Sequence, residues 1–171
     1  MARFLLGCLA ASKRNTVVFD TSSFYGTNIL TLTESLPKDF LQKTTIITPL
    51  DGQDIEDSLA EVLAMKTEAI IIDDLNALHY LLSPDGQKSG IQRLFTLFRL
   101  FSYEARINNQ SVFASVYKTE GDYPAERVTK RSLSAAADLQ ISTDDSIGRM
   151  TFRCKEVKGW PDNRFSAPLY F

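Results

Sequence analysis

The sequence predicts an α/β protein whose central sheet is mostly parallel and is flanked by helices. Short apolar runs alternate with longer segments of helical periodicity through most of the chain, which is the pattern of strand–helix–strand units. Hydrophobic residues make up 44% of the chain and charged residues 23%, as in ordered globular proteins. Because 171 residues are enough for one hydrophobic core and no linker or repeat interrupts them, we expect a single domain spanning residues 1–171.

The first half of the chain contains three apolar runs that we predict to be buried strands. Each run is rich in β-branched residues, and segments with helical spacing of apolar residues connect them. The predicted strands are Thr16–Asp20, Thr44–Thr48 and Ala69–Asp73. The predicted helices are Arg3–Lys13, the stretch after Gly26 to Glu34, and Asp54–Met65, with a loop at Thr21–Gly26.

The second half is predicted to begin with the longest helix, Lys88–Asn108, and to end in antiparallel strands. Apolar residues of this helix recur at helical spacing and form one broad face, which we expect to be core. These residues are Ile91, Leu94, Phe95, Phe98, Phe101 and Ala105. Leu97 and Leu100 make the helix apolar on more than one side, which indicates either deep burial or contact with a partner.

The strands predicted after this helix are Ser111–Tyr117, Ala137–Ser142, Arg149–Val157 and a last strand ending at Phe171. A polar loop is predicted at 118–131 and a turn at 158–163. We therefore expect an antiparallel extension of the parallel sheet that ends in a C-terminal β-hairpin.

Charge, cysteine content and hydropathy exclude several classes of protein. With a net charge of −2 the chain as a whole is not a polyanion binder, so any nucleic-acid binding depends on a local basic patch. Cys8 and Cys154 have no partner spacing and are expected to be reduced and buried, which predicts an intracellular protein, cytoplasmic or nuclear.

Residues 1–12 are interpreted as a helix rather than a signal peptide, because their apolar run is brief and ends in Lys13 and Arg14. No apolar run approaches transmembrane length, so no membrane association is expected.

The most informative short motif is an apolar strand that ends in two carboxylates, Asp73 and Asp74. A buried strand with an acid at its carboxyl end is typical of nucleotide sites in which the acid holds Mg²⁺ beside a phosphate. In this interpretation Asp73 is the magnesium acid and Asp74 supports it. The structural alternative is that both carboxylates cap the segment Leu75–Leu82. His79 is predicted to be a partly buried, hydrogen-bonded histidine, because no nucleophile accompanies it.

The order of these elements and their motifs resembles the RecA/RadA/KaiC superfamily of ATPases over nearly the whole chain. Thr16-Val-Val-Phe-Asp-Thr-Ser-Ser-Phe resembles a family strand that ends in an acid and a small polar residue. Ile70-Ile-Ile-Asp-Asp-Leu-Asn-Ala-Leu resembles the Walker B strand and its exit. Residues 136–141 followed by 150–165 resemble the closing hairpin of KaiC- and RadA-like domains. The resemblance implies a RecA-like P-loop NTPase core, in which residues 1–13 correspond to the helix after the phosphate loop.

The chain departs from this family at the residues that would bind ATP. It contains no Gly-x-x-x-x-Gly-Lys-Ser/Thr motif, and the family's first strand and phosphate loop (Walker A) would lie before Met1. Backbone N–H groups of that loop supply much of the phosphate affinity. Asp20 is the nearest counterpart of the catalytic glutamate, and the sensor position falls at or beside Tyr117. We therefore expect no metal site, no resident cofactor and no ATP hydrolysis by this chain alone; ATP and Mg²⁺ are expected only where a partner completes the site.

Two groups of basic residues are candidates for nucleic-acid binding. The first lies in the loop at which recombinases bind DNA, where Tyr123 is positioned to stack on a base. Acidic residues in the same loop are equally typical of an ordinary solvated loop. The second group alternates onto one face of the closing hairpin and flanks its turn. The candidates are Lys118, Arg127, Lys130 and Arg131 in the loop, and Arg149, Arg153, Lys155, Lys158 and Arg164 in the hairpin. Trp160 at the tip is a candidate contact with a neighbouring subunit, or a core residue if it folds back.

The resemblance implies a non-catalytic RecA-fold subunit of a homo- or hetero-oligomeric complex. It would assemble with a RecA-fold paralogue and assist nucleic-acid binding in recombination or DNA repair. RecA-fold subunits without Walker motifs occur among recombinase paralogues of the Shu type and in the Elongator RecA-like subcomplex. One alternative is therefore an Elongator-like assembly subunit that binds tRNA rather than single-stranded DNA. A second alternative is an ATPase subunit completed in trans, with Asp73 and the hairpin cations acting on ATP held by a neighbour's phosphate loop.

Overall fold

A computed structural model of the chain divides it into two compact units, Met1–Arg127 and Val128–Phe171. The residues described are 14–28, 30–31, 34, 36–50, 54–115, 139–146, 149–156 and 163–168. The single-domain organisation expected from the sequence stays a prediction. Within the described ranges, no helix is both long and apolar enough to cross a membrane.

The first unit is built on a parallel four-stranded sheet. Its strands are β1 (Thr16–Asp20), β2 (Thr44–Ile47), β3 (Ala69–Asp73) and β4 (Ser111–Ala114), in the spatial order β2-β1-β3-β4. All neighbouring pairs are parallel, and Val18 is in register with Ile46 on one side and Ile71 on the other. The predicted α/β class with a parallel sheet is confirmed.

The core lies around the two central strands. Every residue of β1 and β3 is buried, because each strand has a neighbour on both sides. β1 carries Val on both faces and β3 carries Ile on both faces, as is typical of covered parallel sheets. The largest buried side chains around them are Tyr25, Phe40, Ile55, Leu59, Leu75, Leu78, Leu94 and Phe101. Burying one such side chain contributes about 1.5–3 kcal/mol to stability. The carboxyl ends of β1 and β3 are therefore anchored by the hydrophobic core.

The described helices of this unit are α1 (Phe24–Thr27), α2 (Lys38–Leu41), α3 (Ile55–Ala64), α4 (Leu75–Leu81) and α5 (Gln87–Asn108). The helices predicted at the positions of α3 and α5 are confirmed to within one residue at each end. The prediction of a loop at Thr21–Gly26 is wrong in part, because α1 begins there. α2 was not predicted; it begins after Pro37, whose fixed φ suits a helix start.

Only part of the predicted apolar face of α5 is fully buried. Leu94 and Phe101 are 0% and 1% exposed, and the seven residues between them bring both to the same side of the helix. Phe95 and Phe98 are half-buried. The prediction that Phe95, Phe98 and Phe101 are core residues is therefore confirmed for Phe101. Phe95 and Phe98 are less buried than predicted.

The start of α5 packs closely against the turn before it at Gly90. A Cβ added there would overlap the Ser83 side chain and come within 3.1 Å of the Ser83 Cα. Because main-chain atoms cannot yield as a flexible side chain can, this position requires glycine. The close approach fixes α5 against the end of α4.

The second unit contains a three-stranded antiparallel sheet. Its strands are β5 (Leu139–Ser146), β6 (Arg149–Glu156) and β7 (Asn163–Pro168), in that order. β5 continues past its predicted end at Ser142, because β6 supplies pairing partners for Asp144 and Asp145. Among the described residues these strands pair only with one another, so they form a sheet of their own and not the predicted extension of the parallel sheet.

Candidate functional site

The carboxyl ends of the parallel strands meet at one edge of the sheet, where ligand sites of α/β proteins are usually found. The last residues of β1 and β3, Asp20 and Asp73, are paired in register there. The residues that directly follow β1, β3 and β4 are Thr21, Asp74 and Ser115. All five are buried. The edge is therefore a buried polar cluster whose carboxylates need hydrogen-bond donors.

Both carboxylate oxygens of Asp20 accept backbone N–H groups from α1. The donors are the N–H groups of Phe24, Tyr25 and Gly26, at 2.9, 2.9 and 3.1 Å. The hydroxyls of Ser22 and Thr48 donate to the same carboxylate at 3.3 and 3.4 Å. These N–H groups have no partner within the helix, so Asp20 caps α1 and accounts for the helix that the sequence did not predict.

Asp73 connects β3 to the strands on both sides. Its Oδ1 accepts the hydroxyl of Ser115, and its backbone carbonyl accepts the N–H of Thr21 at 2.9 Å. The Ser115 N–H donates to the carbonyl of Ile72 at 3.0 Å, which continues the pairing of β4 with β3. The peptide bond between Asp73 and Asp74 is cis. Asp73 thus joins the end of β3 to β1 through the main chain and to β4 through the side chain.

Asp74 is the N-cap of α4. Its Oδ1 accepts the N–H of Ala77 at 2.7 Å. Burial raises the pKa of Asp74 above its usual range; the N–H groups of Ala77 and Asn76 lower it in part, and the charges of Asp73 and Asp20 raise it further. The capping role that the sequence offered as an alternative is therefore present at Asp74, and its ionised form is opposed by burial and by neighbouring charge.

Among the residues that the structure describes, no group of three or more His, Cys, Asp or Glu side chains is arranged to hold a metal ion. The hydrogen bonds given above occupy both oxygens of Asp20 and at least one oxygen of Asp73 and of Asp74. These hydrogen bonds fix the ends of β1 and β3 and the starts of α1 and α4. The Walker B-like assignment of Asp73 and Asp74 stays a prediction.

Two small polar residues, Thr21 and Ser115, complete the cluster through contacts that were not predicted. The Thr21 hydroxyl donates to the backbone carbonyl of Asp74 at 2.7 Å, and the Ser115 hydroxyl donates to Asp73. Ser115 was predicted to lie inside a strand that continues to Tyr117, but β4 ends at Ala114. The signal that identifies both is a hydroxyl residue directly after a short apolar run.

His79 is a buried residue of α4, 4% exposed. Its Nε2 lies 3.5 Å from the Ser83 hydroxyl, which donates to the His79 carbonyl at 2.6 Å. The predicted hydrogen-bonded histidine is therefore found, and its contacts are those of a structural residue.

Four of the predicted nucleic-acid-binding residues lie in described strands. Arg149, Arg153 and Lys155 are in β6, and Arg164 is in β7. Arg153 is in register with Ser142 of β5 on one side and with Arg164 on the other. Because successive strand positions alternate between faces, positions 149, 153 and 155 of β6 share one face with position 164 of β7. The register thus places position 153 of β6 opposite position 164 of β7.

The remaining candidates fall outside the described residues. These are Lys118, Arg127, Lys130, Arg131, Lys158 and Trp160, together with Cys8, Tyr117, Tyr123 and the helix predicted at Arg3–Lys13. Their assignments stay predictions.

No protein-family model matches this chain, and no curated protein matches it in sequence. The resemblance to the RecA/RadA/KaiC superfamily therefore stays a prediction.

Proposed function

We propose that the chain is a non-catalytic RecA-like subunit that assists nucleic-acid binding in a complex with a RecA-fold paralogue, in recombination or DNA repair. The observation that carries the proposal is the register of β6 and β7, in which Arg153 lies opposite Arg164. Cations on one face neutralise phosphates and release their counterions, which drives binding without regard to sequence. A net charge of −2 makes such a local face necessary.

The spacing of these cations suits a phosphate backbone. Arg153 and Lys155 are about 7 Å apart along β6, since a strand rises about 3.3 Å per residue. Arg164 lies about 5 Å from Arg153, which is the usual distance between neighbouring strands. Cations at such intervals are able to contact successive phosphates of one strand.

The non-catalytic part of the proposal is supported by the hydrogen bonds at the carboxyl edge of the parallel sheet. An ionised carboxylate has about four acceptor sites. Five donors are directed at the Asp20 carboxylate, which leaves it little capacity to take up a proton from a substrate. No glycine-rich phosphate loop occurs within these 171 residues.

The first experiment measures binding of the full chain to labelled single-stranded DNA and to tRNA by fluorescence anisotropy at several salt concentrations. Replacing Arg153 and Arg164 together by glutamine should weaken binding about tenfold. The slope of log affinity against log salt should fall by about 0.7 for each phosphate of a single strand that the variant no longer neutralises.

The matched control is Lys38→Gln with Lys66→Gln, which removes the same charge from two exposed positions of the first unit. This control should change the affinity by no more than about twofold, because the proposal assigns the phosphate contacts to β6 and β7. An equal loss in both double variants would mean that overall charge alone governs binding, and the proposal would then be wrong.

The two nucleic acids and an ATPase assay separate the alternatives. Tighter binding of tRNA than of single-stranded DNA would favour the Elongator-like alternative over recombination or repair. The purified chain should show no ATP turnover, and robust turnover that is abolished in Asp73→Ala would contradict a non-catalytic subunit. In a heteromer reconstituted with a paralogue, a rate that falls on Arg153→Ala would favour an active site completed in trans.

A further inference from the structure

The second half of α5 exposes an apolar stripe. Leu100, Tyr103 and Ile107 are 39%, 60% and 60% exposed, and their spacing of three and four residues places them on one side of the helix. Leu94 and Phe101, on the buried side, are 0% and 1% exposed. Large apolar side chains grouped on one exposed surface mark contact sites, whereas single scattered ones do not.

Two arginines form a row beside this stripe. Arg99 and Arg106 are both exposed, and they stand two helical turns apart. Among the described residues neither has an ion pair; the ion pair present on this helix joins Arg93 to Asp85 at 3.0 Å. The exposed side of α5 therefore combines an apolar stripe with a positive row that has no counter-charge in the described part of the chain.

An antiparallel second copy of the chain fits this surface poorly. If two copies paired their α5 helices antiparallel about a twofold axis, Tyr103 would face Tyr103. Arg99 of each copy would then lie beside Arg106 of the other. Like charges so placed repel, so the charge pattern selects against antiparallel self-pairing and favours an acidic occupant.

We propose that this surface binds an amphipathic helix of another protein, whose apolar stripe is bordered by a row of acidic residues. Helix-on-helix recognition of this kind uses apolar contacts at positions i, i+3 or i+4, and i+7. Carboxylates seven residues apart on the partner pair with Arg99 and Arg106 in charge-assisted hydrogen bonds. The proposal gives the chemistry of the protein partner in the complex and rests on the proposed function in that respect alone.

Two synthetic helical peptides of equal length serve as probes for the full chain. Each carries leucine at two positions of every heptad; one has glutamate beside the leucine row, and the other has lysine at the same positions. The chain should bind the glutamate peptide at least about tenfold more tightly than the lysine peptide, and high salt should reduce this ratio. Fluorescence anisotropy measures both affinities.

Substitutions on α5 locate the binding surface. Arg99→Glu with Arg106→Glu should invert the preference between the two peptides. Ile107→Ser should weaken binding of the glutamate peptide at least about fivefold, since the apolar stripe supplies the contact area. The control Lys38→Glu with Lys66→Glu reverses two exposed charges outside α5 and should leave the preference unchanged.

Three outcomes would overturn this proposal. They are no binding of either peptide, an unchanged preference in the double arginine variant, and a dimer of the chain in sedimentation that Ile107→Ser dissociates. Far-UV circular dichroism verifies that each variant keeps its helical content. Oligonucleotide binding is measured in the same variants, so a loss of peptide binding while oligonucleotide binding persists separates α5 from the cation face of β6 and β7.

Discussion

The carboxyl ends of β1 and β3 perform the same two tasks with the residues in opposite order. At each end, one residue caps the following helix and another bonds across to the next strand. In β1 the last residue, Asp20, caps α1, and the residue after it, Thr21, bonds across to β3. In β3 the last residue, Asp73, bonds across to Ser115, and the residue after it caps α4.

The two ends differ in the charge that they concentrate. At β1 the group that bonds across is a neutral hydroxyl, whereas at β3 it is a second carboxylate. Neutral residues such as Asn or Ser cap helices as well as Asp does. The Asp73–Asp74 pair therefore carries more negative charge than capping and bonding require, and burial with this charge raises the pKa of Asp74. From this difference we expect that the fold needs the carboxylate of Asp20, whereas it only tolerates the second charge of the Asp73–Asp74 pair.

Asp20→Ala should have the largest effect on stability. It removes the acceptor of three N–H groups at the start of α1, at a position with 0% exposure. The free energy of unfolding should fall by about 3–4 kcal/mol, because several hydrogen bonds to one buried charged group are lost together. Urea unfolding followed by far-UV circular dichroism measures it, since the helices α1 to α5 all lie in the first unit.

The control for Asp20→Ala is Glu61→Ala, which removes an exposed carboxylate from α3. Its effect should stay within about 0.5 kcal/mol. If Asp20→Ala lowered stability by less than about 1 kcal/mol, the start of α1 would not depend on this carboxylate. The ends of β1 and β3 would then not share a carboxylate that stabilises the following helix.

Ser115→Ala should have an intermediate effect, because it removes a single donor from Asp73. A hydrogen bond to a charged group contributes about 1.5–3 kcal/mol, so we expect a loss of about 2 kcal/mol. In an Asp73→Asn background the same substitution should cost about 1 kcal/mol, since the acceptor is then neutral. The double-mutant cycle gives the coupling energy of the pair, and a value near zero would rule out the contact as a source of stability.

The sequence was sufficient to predict β1 and β3 but not the cluster at their ends. An unbroken run of Val and Ile is by itself a strong signal for a buried parallel strand. α1 is a four-residue helix that contains a glycine, so propensity does not predict it and the Asp20 carboxylate must start it. The contact between Asp73 and Ser115 joins residues 42 positions apart and exists because β4 lies beside β3, which no local pattern specifies.

Asp74→Asn should have the smallest effect on the free energy of unfolding. Unlike the other substitutions, it should raise this free energy. Asparagine keeps an Oδ1 that accepts the Ala77 N–H and is an equally good N-cap, but it removes the charge. At neutral pH the variant should be more stable than the unsubstituted chain, because burial and the charges of Asp73 and Asp20 oppose the ionised form of Asp74. Urea unfolding at neutral and at acidic pH measures the gain.

The pH dependence distinguishes this gain from an ordinary surface effect. A carboxyl group whose pKa is raised by folding binds its proton more tightly in the folded protein than in the unfolded chain. The stability of the unsubstituted chain therefore falls as pH rises from the unfolded to the folded pKa of Asp74, and it stays lower above that interval. Asparagine does not titrate, so the advantage of Asp74→Asn should vanish below the usual range of aspartate. Asp57→Asn, an exposed position of α3, should give no such gain; a loss of stability for Asp74→Asn at neutral pH would mean that β3 needs both charges.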